Sequence, residues 1–296
     1  MSLKKRMIKE RVMEILLLLC ATVSVVTTLG ILFVLLKDSI GFFSKVSIWE
    51  FLTDTQWTPL FEDAHFGILP LLSGTFLITF IAILIALPLG MSIAIYLSEY
   101  ADIRVKKIIK PFLEILSSIP TVVFGYFALV FVTPLLQSFI PGLAGFNSLS
   151  PGIVMGIMIL PMVASLSEDA LNAVPNSLRE GSYALGSSQV QTAFRVVVPA
   201  ASSGITVSVI LAISRAIGET MIVAIAAGQQ PRLTLNPLVP IETITAYIVQ
   251  VSKGDVPQDS LGYQTIFAAG LTLFVLTFLL NSISFYFNKK FRAQYQ

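Results

Sequence analysis

Glu180–Pro199 reads EGSYALGSSQVQTAFRVVVP, a polar and lightly basic insert set between two long apolar stretches. Ser177 with Glu180, and Ser188 with Gln191, have the spacing of two capping boxes, in which the hydroxyl accepts from a freed helix amide and the acid or amide side chain reaches back to the cap. Two short helices are therefore predicted. The first covers about 178–185 and stops at Gly186, because glycine takes the positive φ that follows a helix end without penalty. Leu178, Gly181, Ser182 and Leu185 give it a face of two leucines around two small residues, and Val190, Ala193, Phe194 and Val197 give the second helix an apolar stripe. Two short amphipathic helices at a sharp angle suit a docking surface. They also suit a connector lying on a membrane surface, and the pattern alone leaves both readings open.

What flanks the insert places it in a membrane protein. Of 296 residues, 55% are hydrophobic and only 12% charged, with a mean hydropathy of +0.84, where soluble chains carry about 25% charged residues. No alternating pattern of about ten residues recurs, so a helical bundle is expected and not a barrel. A net charge of +2 gives no argument for nucleic acid. Cys20 and His65 are each the only residue of their type, which removes a disulfide framework and most metal or histidine-base chemistry.

Six spans are expected. After a basic start (Lys4, Lys5, Arg6, Lys9, Arg11) the run from Val12 to Leu36 is too long for a cleaved signal and reads as a retained first span. The others are Gly67–Leu97, Pro111–Ile140, Ser150–Ser165 extended through Leu171, Ala200–Ala227 and Leu261–Phe287. Lys37–Phe66 reads as an external loop, as does Gln229–Gln258, in which Ile241–Val251 is apolar enough to dip back into the membrane. Fourteen lysines and arginines then fall on one side, against Lys37, Lys45, Arg232 and Lys253 on the other. By the positive-inside rule both termini and the 167–199 loop are cytoplasmic. The organisation expected is a tail, first span and external loop over 1–66, a transmembrane core over 67–287 and a cytoplasmic tail over 288–296.

Within the spans the sharpest signal is SRAIGET, Ser214–Thr220. Arg215 lies roughly 15 residues from both Pro199 and Gln229, near the bilayer midplane at about 1.5 Å per residue. An arginine there costs about 2.5–3.5 kcal/mol on insertion scales, so it must face protein or water. Glu219 is one helical turn on, and an intrahelical pair that neutralises both groups is the plain alternative; yet Arg before Glu is the weaker order at this spacing. A guanidinium in a permeation path offers a planar fork of donors to an oxyanion. Glu114, nearer a span end, reads as a solvated or helix-start carboxylate, and Ser117, Ser118 and Thr121 as hydroxyls bonded to their own backbone or lining a polar path. No G-x-x-x-x-G-K-[ST], H-E-x-x-H or G-x-S-x-G occurs, so the chain is expected to be neither an enzyme nor a holder of nucleotide or any other cofactor by these motifs.

Glu180-Gly181-Ser182, Gly186 and Val197-Val198-Pro199 resemble the cytoplasmic coupling motif of the membrane subunits of binding-protein-dependent ABC importers, with Gly181 and Ser182 where alanines are usual. IPTVVFG (119–125), LPMVASLSEDALNAVPNSLREGSYALG (160–186) and SRAIGETMIV (214–223) resemble the permease subunits of the bacterial phosphate importer, and FGILPLLSGT (66–75) is more similar to the first of its two related permeases. The resemblance implies the type I importer permease fold, all-α with six transmembrane helices in the inner membrane. It implies as partners a second permease, an ATPase dimer that binds the ATP, an external phosphate-binding protein and inorganic phosphate, with Glu180, Ala184, Leu185 and Gly186 at the ATPase contact and Arg215 and Glu219 on the translocation path. Molybdate, tungstate and sulfate share the charge and geometry of phosphate and stay open as substrates, as does an ATP-independent anion carrier.

Overall fold

The computed structural model describes residues 3–292, so Met1, Ser2 and the 293–296 end of the expected tail lie outside the described residues. Twelve helices are followed here: α1 Leu3–Phe43, α2 Ile48–Thr53, α3 Leu69–Tyr100, α4 Ile103–Ser118, α5 Thr121–Phe139, α6 Leu149–Asn172, α7 Asn176–Ala184, α8 Gln189–Ala200, α9 Ser202–Ile217, α10 Met221–Ala226, α11 Ile244–Lys253 and α12 Leu261–Arg292. Among the described residues no sheet forms. There are only the isolated bridges Trp57–Phe66 and Gly228–Ile241. Helices α1, α3, α5, α6 and α12 are long and apolar enough to cross a membrane, and α8 with α9, bent by 71°, passes the same test only as a pair.

At the centre α3 packs along α6, and the contact depends on small residues, as expected where lipid gives helices no hydrophobic reason to associate. A Cβ at Gly156 would stand 2.9 Å from the Ala82 carbonyl, and one at Gly90 would stand 2.8 Å from the Val163 side chain. Ile78, Ala82, Ala86, Met155, Ile159 and Val163 continue this core, which receives Ala212 and Ala216 from α9. Pro70 sits in the first turn of α3, where no amide partner is lost.

Two spans are broken where single runs were expected. The run Pro111–Ile140 is two helices, because at Pro120 the chain turns through extended backbone: proline has no amide to continue the ladder, and its ring drives Ile119 out of the helical region. Helix α4 thus becomes a separate strut with no buried residue, carrying Lys106, Lys107, Lys110 and Glu114. The run Ala200–Ala227 breaks at 218–220, between α9 and α10.

The segment 37–66 is more ordered than an irregular loop. Helix α1 continues to Phe43, and Phe42, Phe51, Trp57 and Phe66 form an aromatic cluster with Tyr247 of α11. The 54–66 hairpin is held by His65 Nδ1 against Asp54 Oδ2 at 2.9 Å. Burial opposes ionisation of Asp54, but the bonds from His65 and the Gln56 amide outweigh it and hold its carboxyl below its ordinary value. The bond to Asp54 raises the His65 imidazole above its ordinary value against partial desolvation. The His65 contribution is complete below its unfolded value near 6.5 and is lost as pH rises through the folded one, while that of Asp54 is complete above about 3.9 and is lost as pH falls. The hairpin is therefore tightest between about pH 4 and 6.5. The single imidazole should titrate by NMR above about 6.5 and return toward that value in Asp54→Asn; an unshifted wild-type midpoint would remove the pairing.

Candidate functional site

The 176–200 segment folds as a helical hairpin under the ends of α3 and α6. Its second predicted capping box is present: Ser188 Oγ accepts from the Gln191 amide at 3.3 Å, and Gln191 Oε1 accepts from the Ser188 amide at 2.9 Å. The first is not. Pro175 precedes the helix and starts it at Asn176, which places Ser177 inside the first turn and not at the cap. Gly186 has φ +82 and closes α7 with paired bonds, Gly186 N to Tyr183 O at 2.9 Å and Ser187 N to Ser182 O at 3.2 Å. Of the small residues, Ser182 is buried and hydrogen-bonded to Thr192 at 2.9 Å, joining α7 to α8, while Gly181 is exposed. The predicted stripe of α8 divides likewise: Ala193 and Val197 face the core while Val190 and Phe194 are exposed. Glu180, Ala184, Leu185 and Gly186 all lie on the open surface, with Leu185 89% exposed.

Arg179 fixes this hairpin to the bundle, a role the sequence reading missed. Its guanidinium donates to the carbonyls of Val174 and Leu171 at 2.6 and 2.9 Å and pairs with Glu99 of α3 at 2.9 Å. Glu99 in turn accepts from Ser98, and its carbonyl accepts from the Gln189 side chain. A displacement of α7 is thereby tied to the ends of α3 and α6.

Arg215 and Glu219 meet at 2.8 Å, though not along a continuous helix. Helix α9 ends at Ile217, and Glu219 stands in the break, where its Oε1 accepts from the Met221 and Ile222 amides at 3.1 and 3.4 Å, capping α10. Its carbonyl accepts from Thr245 of α11 at 2.6 Å. The carboxylate is thus built into the fold, with a side chain 2% exposed, whereas the Arg215 side chain is 44% exposed. Arg215 commits Nη1 to Glu219 and lays Nη2 3.9 Å from the Met158 sulfur. Among the described residues no other carboxylate pairs with it, so much of the fork faces a cavity of about 450 Å³ between α4, α6 and α9. The cavity also admits Lys110, Glu114, Ser117 and Ser165. Its wall carries the cations Arg215 and Lys110 with the carboxylates Glu114 and Glu168, and the guanidinium fork matches an oxyanion in donor geometry.

Residues 86–293 match the model of the binding-protein-dependent transport system inner membrane component family. The chain belongs to this family. Three curated relatives of this inner membrane component cover 80–92% of it. The probable ABC transporter permease protein YqgH of Bacillus subtilis is 37% identical over 89% of this chain and 84% of its own length. The phosphate transport system permease protein PstC of Mesorhizobium japonicum is 35% identical over 80% and 77%, and the probable phosphate transport system permease protein PstC of Methanocaldococcus jannaschii is 30% identical over 92% of each. Among solved structures, a chain of a bacterial ABC transporter that imports alginate superposes with a TM-score of 0.59 at 16% identity, covering 90% of this chain and 94% of that one. A chain of the inward-facing MetNI methionine transporter gives 0.54 at 19%, covering 77% and 94%. The importer permease fold is thereby shared across cargoes as different as a sugar acid polymer and an amino acid.

Proposed function

We propose that this chain is one of the two related permeases of an ATP-driven phosphate importer, forming half of the translocation path. The observation that carries the reading is Arg215, a half-exposed guanidinium with free donors on the cavity between α4, α6 and α9, pinned by a buried carboxylate that limits how long an anion would stay. Relatives named for phosphate transport at 30–35% identity supply the cargo. Residues 67–287 form the permease core in this reading, with 1–66 and 288–296 appended; both termini and the 167–199 loop face the cytoplasm. There Glu180, Ala184, Leu185 and Gly186 meet an ATPase dimer that binds and hydrolyses the ATP, the chain itself holding no cofactor. An external phosphate-binding protein delivers the anion from the other side.

Reconstitution in liposomes with the sister permease, the ATPase pair and a phosphate-binding protein tests this directly. Radiolabelled phosphate should accumulate only with ATP, and sulfate, molybdate and tungstate should not. Accumulation of one of these in place of phosphate would reassign the cargo, and phosphate flux without ATP would make the chain a carrier.

A further inference from the structure

The same cavity holds a second ion pair of the same construction. Lys110 Nζ of α4 lies 3.0 Å from Glu168 Oε1 of α6. The Lys110 side chain is 45% exposed and that of Glu168 2%, almost the values of Arg215 and Glu219. In both places a half-exposed cation facing the cavity is paired with a buried carboxylate, and Glu168, unlike Glu219, also lines the space. Arg215, Lys110 and Glu168 line one continuous space, and Glu219 stands behind Arg215.

The wall between them is a single stripe of α6. Arg215 touches Met158, Lys110 touches Glu168, and Met162 and Ser165 lie between at helical spacing. Ten residues at about 1.5 Å each separate the two stations by about 15 Å along α6, too far for one small oxyanion to touch both. Opposite, Lys110, Leu113, Glu114 and Ser117 of α4 present one helical face to the same space. A lone cation near mid-membrane would hold an anion with nothing to receive it; a path works when each site is attractive enough to enter and weak enough to leave. A buried carboxylate paired with each cation weakens both sites, and Glu114 on the facing wall opposes prolonged occupancy.

We propose that the Lys110–Glu168 pair is a second anion station, receiving a tetrahedral oxyanion such as phosphate released from Arg215 and passing it to the α7 end of the cavity. This rests on the phosphate-importer reading. If the pair were only a latch between α4 and α6, phosphate would not occupy the space around it.

Two measurements on the reconstituted transporter decide the matter. With the wild-type chain taking up phosphate, Lys110→Gln should lower uptake roughly tenfold, the scale of one lost hydrogen bond to a charged group. Lys110→Arg should retain most of it. Second, Ser165→Cys is made with Cys20→Ser, since Cys20 is exposed, in an assembly whose partners lack cysteine; Ser165 lines the cavity. Phosphate added on the α7 side should slow methanethiosulfonate modification of the introduced thiol, and Lys110→Gln should abolish that protection. Undiminished uptake by Lys110→Gln, or modification indifferent to phosphate with Lys110 present, overturns the station. The protection measurement also decides should Lys110→Gln fail to assemble. Absence of phosphate uptake by the wild-type assembly would instead overturn the importer reading itself.

Discussion

Arg215→Gln in the assembled transporter is expected to lower ATP-driven phosphate uptake about 10- to 100-fold while ATP hydrolysis continues. A hydrogen bond to a charged group contributes about 1.5–3 kcal/mol, and about 1.4 kcal/mol corresponds to a factor of ten. Glutamine keeps one amide donor but neither the charge nor the fork, so the loss should fall on anion transfer. The substitution also strips the partner from Glu219, which is buried and caps α10. Removing one member of a fully buried pair costs about 3–5 kcal/mol; with Arg215 half-exposed the cost is smaller, but folding must still be separated from transport. Arg215→Gln combined with Glu219→Gln does this: glutamine at 219 still accepts the Met221 and Ile222 amides through its carbonyl, and no unpaired carboxylate remains. The double variant should assemble, hydrolyse ATP and stay deficient in uptake. Arg215→Lys, which retains charge without planarity, should fall between. Wild-type uptake in either glutamine variant would show that the pair only neutralises itself.

The membrane class, the apolar crossings and the Arg215–Glu219 pair were legible because each is a local contrast: apolar runs against basic punctuation, and two charges where none is expected. What the sequence could not display is tertiary. Lys110 stood as one more basic residue beside a span, and Glu168 as an acid near the end of another. Only the approach of α4 to α6 makes them a pair. Arg179 and Glu99 were hidden in the same way, 80 residues apart. The splitting of the third span was present in the sequence as Ser117, Ser118 and Pro120, but a proline alone does not distinguish a kink from a full turn; the extended backbone at 119–120 decides it. Ser177 had the correct spacing for a cap, yet Pro175 set the helix start first.

Gly186→Val is expected to lower phosphate uptake per ATP hydrolysed about tenfold, with the bundle intact. Gly186 occupies φ +82, where a residue with a Cβ pays roughly 1–2 kcal/mol and a β-branched one is a genuine outlier. A Cβ there would meet no atom within 4 Å, so the penalty lies wholly in the backbone. The relief available to the chain is to unwind the turn, breaking the bonds from Gly186 and Ser187 to Tyr183 and Ser182. That moves Leu185, the most exposed large apolar residue of the hairpin, away from its position one residue before the turn. Burying a leucine in a partner's groove stabilises a contact by about 1.5–3 kcal/mol, enough to account for a tenfold loss in transmission. Asparagine enters the left-handed region more readily, so Gly186→Asn should retain most coupling; Leu185→Asp, which leaves the turn alone and spoils only the contact, should reproduce the valine defect. If both Gly186→Val and Leu185→Asp transport and hydrolyse like wild type, the hairpin is a surface connector. A defect in Gly186→Val alone would mean that the shape of the turn matters and Leu185 does not touch the partner.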